Sequence, residues 1–129
     1  MLVVDASVIA PAVADGGAEG DAFRARLRGE VLAGPDLLRV EVISVIRRLT
    51  GRGSLTPRQA GSAIDDLLEL PVTVYPTVSL LRRTWALRKN MTAYEACSVA
   101  LAEALSCPLL TADARLAAAP GARCVIEVV

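Results

Sequence analysis

Five short apolar runs, each too brief to be a helix, recur along the chain with helical stretches between them. They are Leu2-Val3-Val4, Val31-Leu32-Ala33, Val72-Thr73-Val74-Tyr75, Leu109-Leu110-Thr111 and the segment from Cys124 to Val128. Short β-branched runs read as strands buried on both faces, and strands that alternate with helices build a parallel sheet covered on both sides. The pattern predicts one three-layer α/β domain over residues 1–129, with a five-stranded, mainly parallel sheet. No linker, repeat or shift in composition divides it. With 129 residues, 53% of them hydrophobic, the chain can bury a core without staples and is not a disordered segment.

Helix punctuation is explicit between the runs. Ala6 to Ala14 reads as a helix broken by Gly16-Gly17, and Ala18 to Arg28 as a second whose apolar side carries Ala18, Ala22 and Ala25. Asp36 to Thr50 sets Leu38, Val42, Val45, Ile46 and Leu49 on one side before Gly51-Arg52-Gly53 stops it. Thr56, Pro57 and Gln59 supply an N-cap, a first-turn proline and a capping box for a helix reaching about Leu70. A helix from Pro76-Thr77 through Trp85 to about Arg88 follows, then one from Ala93 to Leu105 capped by Thr92. Phe23 and Trp85 read as core residues.

The chain contains no histidine. Ser-His-Asp and Cys-His nucleophiles, histidine acid–base nucleases and most catalytic zinc sites are thereby removed. Cys97, Cys107 and Cys124 are scattered, without a C-x-x-C, and read as reduced thiols. Chemistry must rest on carboxylates, hydroxyls, arginines and a metal.

In open parallel sheets, ligands sit beyond the carboxyl ends of the strands, where strand order reverses. Asp5 directly follows the first strand, and Asp113 lies just past the fourth. Glu41 and Glu95 fall in helices with apolar inward sides. Each acid has a plainer reading: Asp5 and Asp113 as helix N-caps, and Glu95 as the third residue of the Thr92 capping box. Glu41 has no i,i+4 partner, because Val45 occupies that position. Four carboxylates at one sheet edge repel one another unless a positive charge sits among them. An all-oxygen ligand set suits Mg²⁺ or Mn²⁺, and such an ion activates water and neutralises phosphate charge, as phosphodiester hydrolysis requires. Asp5, Glu41, Glu95 and Asp113 are together the candidate catalytic acids and ligands. Ser7 and Thr111 are nearby hydroxyls able to orient an acid or a water, or else ordinary helix-turn and strand residues.

These residues fall in blocks that resemble PIN-domain ribonucleases, and among them the VapC toxins of type II toxin–antitoxin pairs. Val3-Val4-Asp5-Ala6-Ser7-Val8 resembles the first motif, and Pro35-Asp36-Leu37-Leu38-Arg39-Val40-Glu41 the second. Met91 to Glu103, with Glu95, resembles the third, and Leu109 to Leu116, with Asp113, the fourth. The blocks span nearly the whole chain in the right order and spacing. The resemblance implies a sheet in the order 3-2-1-4-5, which sets the ends of the first and fourth strands side by side. It also implies an Mg²⁺- or Mn²⁺-dependent endoribonuclease with Asp5, Glu95 and Asp113 as metal ligands and Glu41 completing the catalytic set, a cognate VapB-like antitoxin and a homodimer. Two departures stand out. The family usually carries aspartate where this chain has Glu95, and a fifth acid of some relatives has no counterpart, since Ala114-Arg115-Leu116 follows Asp113. A catalytically impaired PIN-fold binding module is therefore the alternative. A haloacid-type phosphotransferase fits less well, because it needs an acid where Ser7 stands.

Lys+Arg and Asp+Glu are 14 each, and Lys89 is the only lysine, so RNA must be held by local arginine–phosphate contacts. Arg47 and Arg48 before the Gly51–Gly53 turn, and Arg82 and Arg83 on the fifth helix, are the candidates, with a solvated helix face as the alternative. A mean hydropathy of +0.47 is high for a soluble monomer and fits apolar surface covered by another chain. Asp5 interrupts the opening apolar run at once, and no run approaches the roughly 20 residues of a membrane span. A cytoplasmic protein without membrane contact is expected.

Overall fold

A computed structural model describes residues 1–129. Its strands are β1 (Leu2–Val4), β2 (Leu32–Pro35), β3 (Val72–Tyr75), β4 (Leu109–Thr111) and β5 (Ile126–Val128). They form one sheet, parallel throughout, in the order β3-β2-β1-β4-β5. The expected three-layer α/β architecture and strand order are therefore present. The helices are α1 (Ala6–Ala14), α2 (Ala18–Leu27), α3 (Leu38–Gly51), α4 (Pro57–Glu69), α5 (Leu81–Ala86), α6 (Ala93–Leu105) and α7 (Ala114–Ala118), with a 3₁₀ turn at Val78–Leu80. No helix is long and apolar enough to cross a membrane.

Successive strand residues point to opposite faces, so β1 feeds two cores. Leu2 and Val4 join Ile9, Phe23, Val42, Ile46 and Leu67 on the α1–α4 side. Val3 joins Val99, Leu101, Leu109 and Leu116 on the α6–α7 side. This double burial explains why β1 and β4 are apolar at every position up to Thr111. The anticipated capping boxes form at Thr56–Gln59 and Thr92–Glu95, fixing the starts of α4 and α6.

Several expectations shift. β2 runs on through Gly34 and Pro35, and β5 begins at Ile126, later than Cys124. The helix expected across Pro76 to Arg88 is a 3₁₀ turn followed by the short α5. Trp85 is not core: it is 67% exposed, with the Arg88 guanidinium 4.5 Å from its ring centre. In α2 the buried residues are Gly20, Phe23 and Leu27, while Ala18, Ala22 and Ala25 lie outward. The physical reason is close docking onto the end of α1. Arg24 donates to the carbonyls of Ala12 at 2.9 Å and Asp15 at 2.7 Å, satisfying groups left unpaired where α1 ends. Gly20 then packs so tightly that a Cβ there would lie 1.9 Å from the Asp15 carbonyl oxygen.

Gly20→Ala tests this packing, because two effects oppose in sign. Helix propensity alone would stabilise α2 by about 1 kcal/mol. Overpacking against backbone costs about 1–3 kcal/mol and must win here. Thermal melts should show Gly20→Ala melting below the parent, whereas an unchanged or higher midpoint would refute the docking.

Candidate active site

Parallel pairing of β1 with β4 sets Val4 beside Leu110, so Asp5 and Thr111 leave the sheet together at its carboxyl edge. Asp5 caps α1: its Oδ1 accepts from the Ser7 backbone N–H at 3.0 Å and from the Ser7 hydroxyl. Its Oδ2 accepts from the Thr111 hydroxyl at 2.6 Å. Each hydroxyl has one proton, and both go to Asp5. Each hydroxyl oxygen in turn accepts a backbone N–H, Ser7 from Ala112 at 2.9 Å and Thr111 from Asp113 at 3.1 Å. Two donor chains thus converge on one carboxylate from both sides of the β1–β4 seam. Burial pushes the Asp5 carboxyl above the usual aspartate range even against the bonds from Ser7 and Thr111.

Asp113 caps α7 through Oδ1, which accepts from the Arg115 backbone N–H at 2.9 Å. Its Oδ2 accepts from Arg115 Nη2 at 3.0 Å, and the same nitrogen donates to Glu95 Oε1 at 2.7 Å. Desolvation raises the Asp113 carboxyl, but the Arg115 bonds outweigh it and leave it below the ordinary range. Glu95 forms the expected capping box and also an ion pair. Oε2 accepts from the Thr92 backbone N–H at 3.0 Å within the capping box, while Oε1 faces Arg115. The methylene that distinguishes it from aspartate provides that double reach.

Glu41, on α3, is half-buried and hydrogen-bonded to nothing through its side chain. Burial and then the neighbouring Asp5 charge push its carboxyl upward. It lines a shallow groove of about 320 Å³ with Val40, Ser44, Arg48 and Tyr94. A roomier hollow of about 560 Å³, lined by Glu103, Cys107 and Cys124, lies where β4 and β5 begin, at the other end of the sheet.

The four acids therefore reach one edge, though as two pairs. Asp5 and Glu41 neighbour each other without a cation, and Glu95 and Asp113 are spanned by Arg115. No three of them stand close enough together to share one ion in this arrangement. The donor chemistry fits a hard divalent ion nonetheless: all ligand atoms are oxygens, and Glu41 is desolvated beside a second carboxylate with no partner of its own. Among the arginines, Arg47, Arg48 and Arg82 are exposed, as phosphate contacts require. Arg83 is not available. Its Nε and Nη2 bind Glu103 at 2.8 and 3.0 Å, and Nη2 also donates to the Gly121 carbonyl. Arg115 was not among the candidate site residues, although the Asp113-Ala114-Arg115 spacing is visible in the chain. Its importance comes from the approach of α6 to α7.

Comparison with known proteins shows the family and agrees with the fold. The family model for the PIN domain matches residues 2–122. The chain is 43% identical over 128 residues to ribonuclease VapC1 of Mycobacterium tuberculosis, covering 98% of this chain and 96% of that one. In fold it is similar to M. tuberculosis VapC20, a sarcin–ricin loop cleaving toxin, with TM-score 0.71, 18% identity and coverage of 92% and 94%. It is similar also to VapBC2 of Rickettsia felis bound to a promoter DNA fragment, with TM-score 0.70, 13% identity and coverage of 98% and 96%.

The raised Asp5 carboxyl has a consequence for stability. The native state holds that proton more tightly than the unfolded chain, so its contribution is present at low pH and is lost as pH rises through the folded value. Asp5→Asn removes the buried charge and keeps the shape. Without metal, it should melt above the parent at neutral pH, by about 3–6 °C per kcal/mol relieved. The gap should close as the pH falls below the ordinary aspartate range. Melting curves that place Asp5→Asn below the parent at neutral pH would contradict this.

Proposed function

The chain belongs to the PIN domain family and, within it, to the VapC proteins, and from that premise we propose that it is a toxin ribonuclease. It hydrolyses RNA phosphodiester bonds using a magnesium or manganese ion, for which Asp5, Glu95 and Asp113 would be the ligands once their carboxylates close around it. The observation that supports this reading best is the two-sided fixing of the Asp5 carboxylate by Ser7 and Thr111. A carboxylate that merely caps a helix needs only the Ser7 backbone N–H. Here a second donor arrives from β4 and leaves one Oδ2 lone pair free to face outward.

When bound, the ion supplies a polarised water and offsets charge on the phosphate. The chain's own residues do the rest. Ser7 and Thr111 orient Asp5 and prevent its rotation, each stiffened by a backbone N–H behind it. Glu41, its proton affinity raised by burial and by Asp5, accepts the proton of the attacking water as the new oxygen–phosphorus bond forms. The phosphorus–oxygen bond to the leaving ribose breaks in the same displacement, and that oxygen takes a proton from solvent. Arg48, beside Glu41 in the groove, and the exposed Arg47 and Arg82 hold flanking phosphates.

The partner is a VapB-like antitoxin that covers the acidic groove, and a second copy of the chain makes a homodimer. Val40 and Tyr94, on the groove rim, are 68% and 58% exposed, and Ile43 stands beside them on α3. Such contiguous apolar surface around charged residues is what a protein partner covers.

Purified protein should cleave bacterial RNA with Mg²⁺ or Mn²⁺ and stop on chelation. Asp113→Asn should lower the rate at least about 100-fold while the domain stays folded. Ser7→Ala, which only loosens Asp5, should cost about 10- to 100-fold. Glu95→Gln keeps the capping box yet should lose activity as Asp113→Asn does, whereas Glu95→Asp should cleave at least as fast as the parent. Cleavage that ignores chelation, or parental rates in Asp113→Asn, would overturn the assignment and favour a binding module.

A further inference from the structure

We propose that Arg115 is the resident cation of this acidic edge, a positioning residue that holds Glu95 and Asp113 together without metal and gives way when a divalent ion binds. This rests on the metal reading above and adds a competitor that the chain itself supplies. One nitrogen makes the bridge, donating to Glu95 Oε1 at 2.7 Å and to Asp113 Oδ2 at 3.0 Å. The two acids come from the starts of different helices, and Arg115 joins them. The oxygens it occupies are those left over once capping is satisfied, Oδ1 of Asp113 and Oε2 of Glu95 being held by backbone N–H groups. A cation and a metal ion would therefore compete for the same lone pairs.

The contrast with Arg83 shows why this bridge can open. Arg83 uses two nitrogens on Glu103, adds a carbonyl, and both side chains are largely covered, at 25% and 14% exposure. Arg115 is 69% exposed and is held through its guanidinium by the two carboxylates alone. It can swing into solvent without disturbing packing. Metal affinity is then lowered by the fraction of molecules in which the arm is closed. The helix termini stay in place during the exchange, because the capping bonds do not involve the guanidinium.

The test is calorimetric titration of Mn²⁺ into purified full-length protein, with melting curves taken without metal and at saturation. Arg115→Gln should bind Mn²⁺ roughly 5- to 50-fold more tightly than the parent. It should melt lower than the parent without metal, since Glu95 and Asp113 then repel, and no lower at saturation. Arg48→Gln removes an equal charge from the neighbouring groove without breaking an ion pair, and should change affinity less than about twofold. Arg115→Gln that binds no more tightly, or melts lower by the same amount in both states, would overturn the proposal while leaving the metal reading intact. Equal tightening by both variants would reduce Arg115 to background charge and also overturn it. A parent protein that binds no Mn²⁺ would overturn the metal reading, and this inference with it.

Discussion

Parallel pairing of β1 with β4 carries segments separated by more than a hundred residues to one edge of the sheet, and the acidic site depends on it. The pairing is driven by apolar burial on both faces, since Val3, Val4, Leu109 and Leu110 are almost wholly inaccessible. Its chemical consequence appears one residue beyond. Ser7 from the first turn of α1 and Thr111 from the end of β4 close on Asp5, and each hydroxyl passes the polarisation of a backbone N–H to the carboxylate. Sheet register thus sets the orientation of the Asp5 carboxylate.

Charge sets the second constraint. Four carboxylates reach one edge, and the fold treats them as two pairs. No side-chain cation bridges Asp5 and Glu41, and burial raises both carboxyls, Glu41 also feeling the Asp5 charge. Glu95 and Asp113 are bridged by Arg115, and Asp113 is lowered. The edge is divided into a half without a bridging cation and a half that carries one. Glutamate in place of the family's aspartate suits that division. Its longer arm reaches Thr92 with one oxygen and the bridge with the other, so helix start and site share a residue.

Features decided within a few residues were legible in the chain. Thr56-Pro57-x-Gln59 and Thr92-x-x-Glu95 specify helix starts by local hydrogen bonds, and both boxes form as written. The short β-branched runs specified strands, and with the resemblance their order. Asp5 was legible both as a cap and as a strand-end acid, and it is placed as both. Features decided by docking were not legible. The alanines of α2 looked inward by composition, yet Gly20 faces α1 because only a residue without Cβ fits against the Asp15 carbonyl. Trp85 lies outward because Leu80, Thr84 and Leu87 take the inward face of this segment. Arg83 looked like a free cation until Glu103, twenty residues on, was brought against it. Arg115 followed a plausible acid without an apparent partner until α6 delivered Glu95.

The central claim is that the β1–β4 edge is a divalent-cation site organised around Asp5. Anomalous diffraction from crystals grown with Mn²⁺ tests it most directly, because it locates the ion without reference to activity. The account predicts an anomalous peak within about 2.5 Å of an Asp5 carboxylate oxygen, with the Arg115 guanidinium displaced from Glu95 and Asp113. A well-occupied manganese elsewhere, with Asp5 unliganded and the Arg115 bridge intact, would contradict it.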